Sequence, residues 1–278
     1  MTLKTLLPAF FLLGVLLGNA QDFTAVSYNI KYDNVNDTVN NWEQRKEAMI
    51  KLVQHHAPHF LGMQEVLHRQ LEYLKAHLPG YDHLGVGRDD GKEKGEYSPI
   101  LFNSSAFALL QGSTFWLSPT PETISVGWDA AMERICTYGL FQHRESGKKL
   151  WVFNTHFDHV GVKAREASAQ LIADKITELN TEGHPVILMG DLNLTPDTAP
   201  IQFLKGALTD AQKVSKQPFY GPRGTFSGFD HDRVLDKRID YIFTERLGVE
   251  SYMHIDDRME NNKHISDHLP VLAHLSFL

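Results

Sequence analysis

The chain repeats two patterns of apolar residues, one with the period of a strand and one with the period of a helix. Runs in which apolar residues alternate or follow one another predict strands. These runs are residues 23–32, 60–66, 98–102, 107–117, 135–144, 149–156, 185–189, 238–244 and 269–277. Apolar residues spaced three or four apart predict helices at residues 42–56 and 163–179. Strands and helices therefore alternate, with a hairpin turn predicted at residues 145–148.

Three long segments between these elements have the composition of loops, namely residues 85–95, 118–134 and 218–238. Long loops in a compact domain usually either carry function or are disordered. No internal repeat, low-complexity tract or shift in composition divides the chain. We therefore predict that residues 21–278 form one domain.

The N-terminus has the pattern of a leader segment. Lys4 precedes an apolar run at residues 6–17, and Gly18 and Ala20 place small residues at a cleavage site. A transmembrane helix needs about 20 apolar residues, which is more than this run provides. We therefore predict a signal peptide at residues 1–20, cleaved near Ala20, and a secreted or periplasmic mature chain without a transmembrane segment.

Charge and cysteine content narrow the class of protein. The net charge is −7, and the lysines and arginines are scattered. Proteins that bind duplex DNA nonspecifically usually carry a basic footprint, so no stable nucleic-acid complex is expected. The single cysteine, Cys136, lies in an apolar alternating stretch. It cannot form an intrachain disulfide, and its setting favours a place in the core.

Polar residues interrupt or end six of the predicted strands. They are Asn29, Gln64 with Glu65, Thr155 with His156, Asp191 with Asn193, Asp240, and Asp267 with His268. Each alone is typical of a turn, a cap or a surface residue. Burying one of them without a partner would cost roughly 1–3 kcal/mol. Together they predict that the strand ends converge on one polar site.

The residue types indicate phosphoester chemistry at a divalent metal. Carboxylate and amide oxygens suit Mg²⁺, which needs few protein ligands because it retains waters and substrate oxygens. The chain has no cysteine cluster and no HExxH motif for structural or protease zinc. It also lacks the GxSxG elbow of a serine hydrolase.

Seven motifs in order carry a family resemblance. They are SYNIKYDN, MQEV, GEYSPILF, NTHFDH, MGDLN, RIDYIF and SDHLP, of which MGDLN and SDHLP are the most specific. Over nearly the whole mature chain, this order resembles secreted bacterial members of the endonuclease/exonuclease/phosphatase superfamily. Deoxyribonuclease I, abasic-site endonucleases, sphingomyelinases, inositol-phosphate 5-phosphatases and deadenylases belong to it. The resemblance implies an α/β (α+β) fold of four layers, α/β/β/α, with two mostly antiparallel sheets face to face.

The resemblance also implies roles on the metal side. Glu65 resembles the principal metal ligand, and no basic neighbour is expected to pair with it. Asn29 lies beside it as a ligand or a hydrogen-bond donor, and Asp267 is a further metal-side carboxylate. Asp191 resembles the residue that orients or deprotonates the attacking water. Asn193 resembles the amide that holds that water or a phosphate oxygen.

On the phosphate side, His156 and His268 resemble the two histidines that contact the scissile phosphate. Glu96 and Asp240 resemble the carboxylates that orient them, Glu96 with His156 and Asp240 with His268. A carboxylate partner raises the pKa of an imidazole, so both histidines are expected to act as charged donors.

The sequence departs from the abasic-site enzymes at Lys31, where those enzymes carry an aspartate. The segment GWDAAMERICTYG, residues 127–139, is also unlike deoxyribonuclease. We expect Trp128, Arg134 and Asp158 to contact substrate. Arg134 is expected either to bind phosphate or to pair with Glu133. A group of basic residues, Arg88, Lys92, Lys94 and Arg134, could surround one phosphate.

These observations favour an extracytoplasmic phosphoesterase that uses Mg²⁺, with Mn²⁺ or Ca²⁺ as alternatives, and in-line attack by a water at the metal site. The substrate class stays open among phosphodiesters and phosphomonoesters, and the acidic charge favours a small or lipid-linked one over duplex DNA. The alternatives are a nuclease acting on DNA or RNA and a non-catalytic binding protein on the same scaffold. A glycan hydrolase lacks a supporting carboxylate spacing. A monomer is expected.

Overall fold

The computed structural model describes residues 22–278 of the chain. The predicted signal peptide at residues 1–20 lies outside the described residues. Within residues 22–278, no helix combines the length and the apolar character that crossing a membrane requires.

Residues 22–278 contain twelve strands and five helices. The strands are β1 (Asp22–Asn29), β2 (Phe60–Gln64), β3 (Tyr81–Leu84), β4 (Ile100–Asn103), β5 (Phe107–Trp116), β6 (Ile135–His143), β7 (Lys149–His156), β8 (Val186–Asp191), β9 (Thr209–Asp210), β10 (Asp240–Glu245), β11 (Leu247–His254) and β12 (Val271–Phe277). The helices are α1 (Trp42–His56), α2 (His68–His77), α3 (Val162–Leu179), α4 (Ala199–Ala207) and α5 (Ala211–Val214).

The strands form two six-stranded sheets. The first has the order β11-β12-β1-β2-β4-β3, and the second has the order β5-β6-β7-β8-β10-β9. The strand β1 runs parallel to β2, and β7 runs parallel to β8. The other neighbouring pairs are antiparallel. Both sheets are therefore mostly antiparallel, as predicted.

The alternation of side chains along each strand divides the apolar residues into layers. In β8, Ile187 and Met189 belong to the core between the two sheets, together with Ala25 of β1. Val186 and Leu188 point the other way and belong to the core shared with α3 and α4. The opposite face of the first sheet packs in the same way against α1 and α2. The order helix, sheet, sheet, helix confirms the predicted four-layer α/β/β/α sandwich.

Strand register brings polar residues to one end of the sandwich. In the first sheet, Asn29 lies opposite Gln64 at the ends of the parallel strands β1 and β2. In the second sheet, Asp191 lies opposite both His156 of β7 and Asp240 of β10. The Nδ2 atom of Asn29 donates to Oδ2 of Asp191 at 3.0 Å, which joins the two sheets at this end.

The first two strands end earlier in the structure than the sequence pattern predicts. They end at Asn29 and Gln64 because the next residues leave the extended conformation. Lys31 and Glu65 have φ angles of 59° and 61°, in the left-handed region that non-glycine residues rarely adopt. These backbone turns end the strands and redirect both side chains.

Six elements are not predicted by the apolar pattern, namely α2, β3, α4, β9, α5 and β11. In α2, the buried apolar residues are Leu71 and Leu74, so its apolar face is too narrow to give a helical signal. In β11, a register shift between Val249 and Ser251 interrupts the alternation. The local pattern is weak in these places, and pairing or packing with the rest of the domain determines the element.

Candidate active site

A cleft of about 460 Å³ opens at the polar end of the sandwich. Eight of the predicted site residues line it, namely Glu65, Glu96, Arg134, His156, Asp191, Asn193, Asp267 and His268. Asn29 and Asp240 are buried behind its wall, with no exposed surface. A larger groove of about 630 Å³ lies between α1 and residues 257–261, and it contains none of the predicted site residues.

Three of the eight non-glycine residues with positive φ in the described part of the chain line this cleft. Lys31, Glu65 and Asn193 line it, and all three are non-glycine residues with positive φ, 59°, 61° and 50°. A left-handed backbone costs an L-residue roughly 1–2 kcal/mol. Such strain persists where the surrounding structure holds it, and it is typical of functional sites. The backbone conformation thus directs these side chains into the cleft.

The two predicted metal-side carboxylates share a cation. The Nζ atom of Lys31 lies 3.3 Å from Oε2 of Glu65 and 3.5 Å from Oδ2 of Asp267. The expectation that Glu65 has no basic neighbour is therefore wrong. Burial raises the pKa of Glu65, but the Lys31 ammonium and a hydrogen bond from Asn29 more than offset this, and the pKa lies below its usual value.

Asn29 forms hydrogen bonds through both ends of its amide. Its Nδ2 atom donates to Oε1 of Glu65 and to Oδ2 of Asp191, each at 3.0 Å. Its Oδ1 atom accepts from the backbone N–H of Lys31 at 3.0 Å. Of the two roles expected for Asn29, this geometry favours the hydrogen-bond donor that fixes the carboxylates.

The donor set fits a divalent cation. The carboxylates of Glu65 and Asp267 both face the Lys31 ammonium, so a positive charge is already stabilised between them. Oxygen ligands of this type suit Mg²⁺. The residues that would hold the ion are Glu65 and Asp267.

A chain of carboxylates and an imidazole crosses the other side of the cleft. The Nδ1 atom of His268 lies 2.9 Å from Oδ2 of Asp240, which is the contact expected from the sequence. The Nε2 atom of the same ring lies 3.6 Å from Oδ2 of Asp191. Burial lowers the pKa of His268, but Asp240 and Asp191 outweigh it and raise the pKa to about 10. His268 is therefore an imidazolium at neutral pH.

The carboxyl group of Asp191, which lines the cleft, has a raised pKa. Burial and the nearby charge of Asp240 raise its pKa to about 7. Its Oδ1 atom accepts from the backbone N–H of Asn193 at 2.9 Å. Asp191, Asp240 and His268 also place one ligand atom each within 4.8 Å, the spacing of a metal cluster. This group of two carboxylates and one imidazole is therefore a second place at the cleft that could hold a metal ion.

His156 differs from the expected charged donor. The Nδ2 atom of Asn193 donates to the backbone carbonyl of Phe157 and lies 3.1 Å from Nε2 of His156. That nitrogen therefore accepts, which assigns the proton to Nδ1 of a neutral ring. Burial, together with the charges of Arg134 and His268, lowers the pKa of His156 well below its usual value. Burial and these two cations therefore count against the charged donor expected here, although Oδ2 of Asp191 lies 3.5 Å from Nε2 of His156.

Glu96 does not pair with His156, contrary to expectation. Its carboxylate accepts two hydrogen bonds from Arg88, at 2.8 and 3.1 Å. The two residues face each other across a short turn, where the N–H of Arg88 donates to the carbonyl of Glu96. The fork of the guanidinium matches a carboxylate, and this pairing takes Glu96 from the imidazole. Among the residues that the structure describes, Nδ1 of His156 has no hydrogen-bond partner.

Arg134 lines the cleft, but its partner differs from the expected Glu133. Its Nε atom lies 3.3 Å from Oδ1 of Asp158, and its Nη2 atom lies 3.0 Å from Nδ1 of His159. Asp158 is 1% exposed and also accepts from the N–H groups of residues 160 and 161. Asp158 therefore fixes the loop before α3 and the guanidinium of Arg134. Because its carboxylate is buried in these contacts, it cannot contact the substrate as expected.

The remaining predicted substrate residues lie apart from the cleft. Trp128 is 41% exposed and does not line the cavity. Lys92 and Lys94 are exposed and lie outside it, whereas Arg88 lines it beside Arg134. Two of the four basic residues expected around a phosphate are thus in place.

Several cleft residues could not be identified from the sequence. Lys31, His159, Tyr32 and Met132 line the cleft, as does Phe226, whose ring packs edge-on against His268 with centroids 5.0 Å apart. The only signal for Lys31 is its place two residues after Asn29. Phe226 comes from the predicted loop at residues 218–238, where no pattern indicates which side chain turns inward.

Comparison with known proteins identifies a matching family and several similar proteins. Residues 26–268 match the model of the Endonuclease/Exonuclease/phosphatase family. A structure of a Bacteroides thetaiotaomicron mannosyl-6-phosphatase has a TM-score of 0.88, with 37% identity over 92% of this chain and 100% of that one. A family member from Bacteroides vulgatus gives 0.88 with 38% identity, over 92% and 99%. An uncharacterized protein of Acanthamoeba polyphaga mimivirus is 29% identical, over 84% of this chain and 92% of its own.

Proposed function

The chain belongs to the endonuclease/exonuclease/phosphatase family and is a metal-dependent hydrolase of phosphoester bonds, and from this premise we propose that it hydrolyses a small phosphomonoester outside the cytoplasm with Mg²⁺. One observation carries the proposal on substrate size. Four cationic side chains, Lys31, Arg88, Arg134 and His268, line a single cleft of about 460 Å³. That volume is typical of a small-molecule site.

The metal-side carboxylates supply the first part of the chemistry. Glu65 and Asp267 would hold the ion, with Glu65 oriented by Asn29. When bound, Mg²⁺ neutralises charge on the phosphoryl and leaving oxygens. The protein contributes a rigid frame for it, because the backbone N–H of Tyr32 donates to Oε2 of Glu65 at 3.2 Å.

Asp191 is the candidate for the base that takes a proton from the attacking water. Its pKa of about 7 lies near neutral pH, and a base whose pKa is close to the operating pH is the most effective in proton transfer. Asn29 and the N–H of Asn193 each bind one of its oxygens, so the carboxylate is held in one orientation. In-line attack requires this kind of positioning.

His268 is the candidate for the charged donor to the phosphoryl group. The Nδ1–H group of His268 donates a hydrogen bond to Asp240. The second proton of the imidazolium is on Nε2, which is directed toward Asp191 and the cleft. A donor that is charged before substrate binds stabilises negative charge on the phosphoryl oxygens without reorganisation. His156 acts differently, as a neutral ring that Asn193 holds.

Arg88 and Arg134 support the choice of a monoester. A phosphomonoester carries more negative charge than a diester, and the positive charges of these two guanidinium groups in the cleft favour the more highly charged ester. The 37% identical relative from Bacteroides thetaiotaomicron is a mannosyl-6-phosphatase, which supports a sugar phosphate as the substrate class. The net charge of −7 and the absence of a basic stripe in the sequence count against duplex DNA.

A substrate panel tests the proposal. Purified protein with Mg²⁺ is assayed on mannose 6-phosphate, glucose 6-phosphate, p-nitrophenyl phosphate, bis-p-nitrophenyl phosphate, sphingomyelin, RNA and plasmid DNA. Asp191→Asn, prepared in parallel, detects contaminating phosphatase. We expect monoesters to be turned over faster than diesters, with a weak dependence on salt. Efficient nicking of plasmid DNA with a steep loss between low and moderate salt would return the protein to the nuclease branch.

The location outside the cytoplasm is supported by the N-terminal sequence, with its apolar run and its small residues at positions 18 and 20. Mass spectrometry of the protein exported by its host tests this part. A mature N-terminus at Gln21 is expected, and an intact Met1 on cytoplasmic protein would contradict the location.

A further inference from the structure

Lys31 lies where a cation shared by Glu65 and Asp267 must lie. Its Nζ atom is 3.3 Å from one carboxylate and 3.5 Å from the other, and its side chain is 30% exposed. Mg²⁺ binds its oxygen ligands at about 2.0–2.1 Å. An ion that contacts both carboxylates therefore requires the space that the ammonium occupies.

The backbone of Lys31 is held so that its side chain reaches this position. Its φ of 59° is left-handed. Its carbonyl accepts from Nη2 of Arg45 at 3.2 Å and from Nε2 of Gln70 at 3.1 Å, and its N–H donates to Asn29. Arg45 and Gln70 are buried, with 1% and 0% exposed. Because the main chain is fixed on three sides, only the side chain can move.

The structure also offers the ammonium a second contact. The ring of Tyr32, which lines the cleft, has its centroid 4.8 Å from Nζ of Lys31. Such a cation–π contact is worth about 0.5–1 kcal/mol at an exposed site. The lysine therefore keeps a favourable contact when it leaves the carboxylates.

We propose that Lys31 is a tethered cation that competes with the divalent metal for Glu65 and Asp267. In the metal-free protein it neutralises the two carboxylates and keeps them close together. It must leave before an ion can contact both, so it weakens the affinity for metal. This inference rests on the proposed function, because it takes these carboxylates as the metal ligands.

Titration calorimetry with Mg²⁺ alone tests the competition. In Lys31→Met, the carboxylates have no internal cation, and we expect Mg²⁺ affinity to rise about tenfold or more, equivalent to about 1.4 kcal/mol. Lys31→Arg retains the charge and is expected to keep an affinity close to that of the unaltered protein. Equal or weaker affinity in Lys31→Met would overturn the inference, and so would an equal rise in both variants.

Lys175→Met is the matched control. Lys175 also bridges two carboxylates, with Nζ 3.2 Å from Glu122 and 3.1 Å from Glu178, but it lies on α3 outside the cleft. Its loss should leave Mg²⁺ affinity unchanged. A rise equal to that of Lys31→Met would show a general effect of net charge and overturn the inference.

Thermal unfolding gives a readout that does not depend on activity. In EDTA, Lys31→Met should unfold at a lower temperature than the unaltered protein, because two carboxylates then repel each other without a cation. Mg²⁺ should raise its unfolding temperature by more, since the stabilisation of the folded state by a ligand grows with the logarithm of the affinity. An identical response to EDTA and Mg²⁺ in both proteins would refute the competition.

The two proposals fail in different ways. If the unaltered protein binds Mg²⁺ and hydrolyses phosphomonoesters while Lys31→Met shows no rise in affinity, only the inference about Lys31 is overturned. If the unaltered protein binds no divalent ion and hydrolyses no phosphoester, both proposals are overturned.

Discussion

Replacing Asp240 by asparagine tests whether His268 works as a charged donor. Asp240 Oδ2 lies 2.9 Å from Nδ1 of His268, and both side chains are buried. The asparagine side-chain oxygen can still accept the same hydrogen bond, so the ring should keep its orientation. The substitution thus removes one negative charge and little else.

The magnitude follows from the position of that charge. Among the neighbouring charges, Asp240 contributes most to raising the pKa of His268 to about 10, against the opposing effect of burial. An opposite charge within hydrogen-bond distance changes a pKa by roughly 1–3 units. The pKa of His268 should therefore fall to roughly 7–9 in Asp240→Asn. At pH 9, a group with a pKa of about 10 is roughly nine-tenths protonated, and one with a pKa of about 8 roughly one-tenth.

The sign of the pH effect is set by which form is active. His268 acts when protonated, so activity falls as the pH rises through its pKa, and in Asp240→Asn this fall occurs at lower pH. Asp191 acts when deprotonated, and Asp240 helps to raise its pKa to about 7. Losing Asp240 lowers that pKa as well. Both limbs of the pH profile should therefore move toward acid.

The assay is kcat/KM for p-nitrophenyl phosphate between about pH 5 and about pH 11, since this quantity reports the groups of the free enzyme. NMR titration of the His268 ring measures its pKa directly. Asp256→Asn is the matched control, because Asp256 lies 3.3 Å from Nε2 of His264 outside the cleft. An alkaline limb that stays in place in Asp240→Asn, or that moves equally in Asp256→Asn, would refute the role of the pair.

Three further substitutions test other parts of the site. Glu65→Gln should weaken Mg²⁺ binding and remove most of the activity while the circular dichroism spectrum is retained, and an unchanged metal dependence would contradict its assignment. Arg134→Gln should lower kcat/KM for p-nitrophenyl phosphate about 10- to 100-fold, because one charged hydrogen bond to the substrate is lost. It should lower kcat/KM for bis-p-nitrophenyl phosphate less. Equal losses on both esters would argue against monoester recognition. Arg45→Met removes donors from the buried carbonyls of Ile30 and Ile265 and should cost about 3 kcal/mol in urea unfolding, whereas a cost below about 1 kcal/mol would show that this clamp is not needed.

The sequence by itself predicted most of the strands and a polar site at their ends, and its ordered motifs implied the four layers through the family resemblance. Two-residue alternation is a local property, so Ile187 and Met189 could be assigned to one face of a strand and Val186 and Leu188 to the other. Polar residues at strand ends could likewise be identified, because an unpaired polar group is costly in a core. The ordered motifs then indicated the family, which the match over residues 26–268 confirms.

Only the tertiary structure decided which side chains pair. The hydrogen bond from Asn29 to Asp191 joins residues 162 positions apart, and no local pattern contains such a contact. The choice of Arg88 over His156 as the partner of Glu96 depends on a turn that brings the guanidinium fork onto the carboxylate. The place of Lys31 between two carboxylates depends on a left-handed backbone that buried donors hold. Periodicity records the face on which a residue lies, whereas charge pairing depends on distances across the two sheets, which the register and the packing of the whole domain determine.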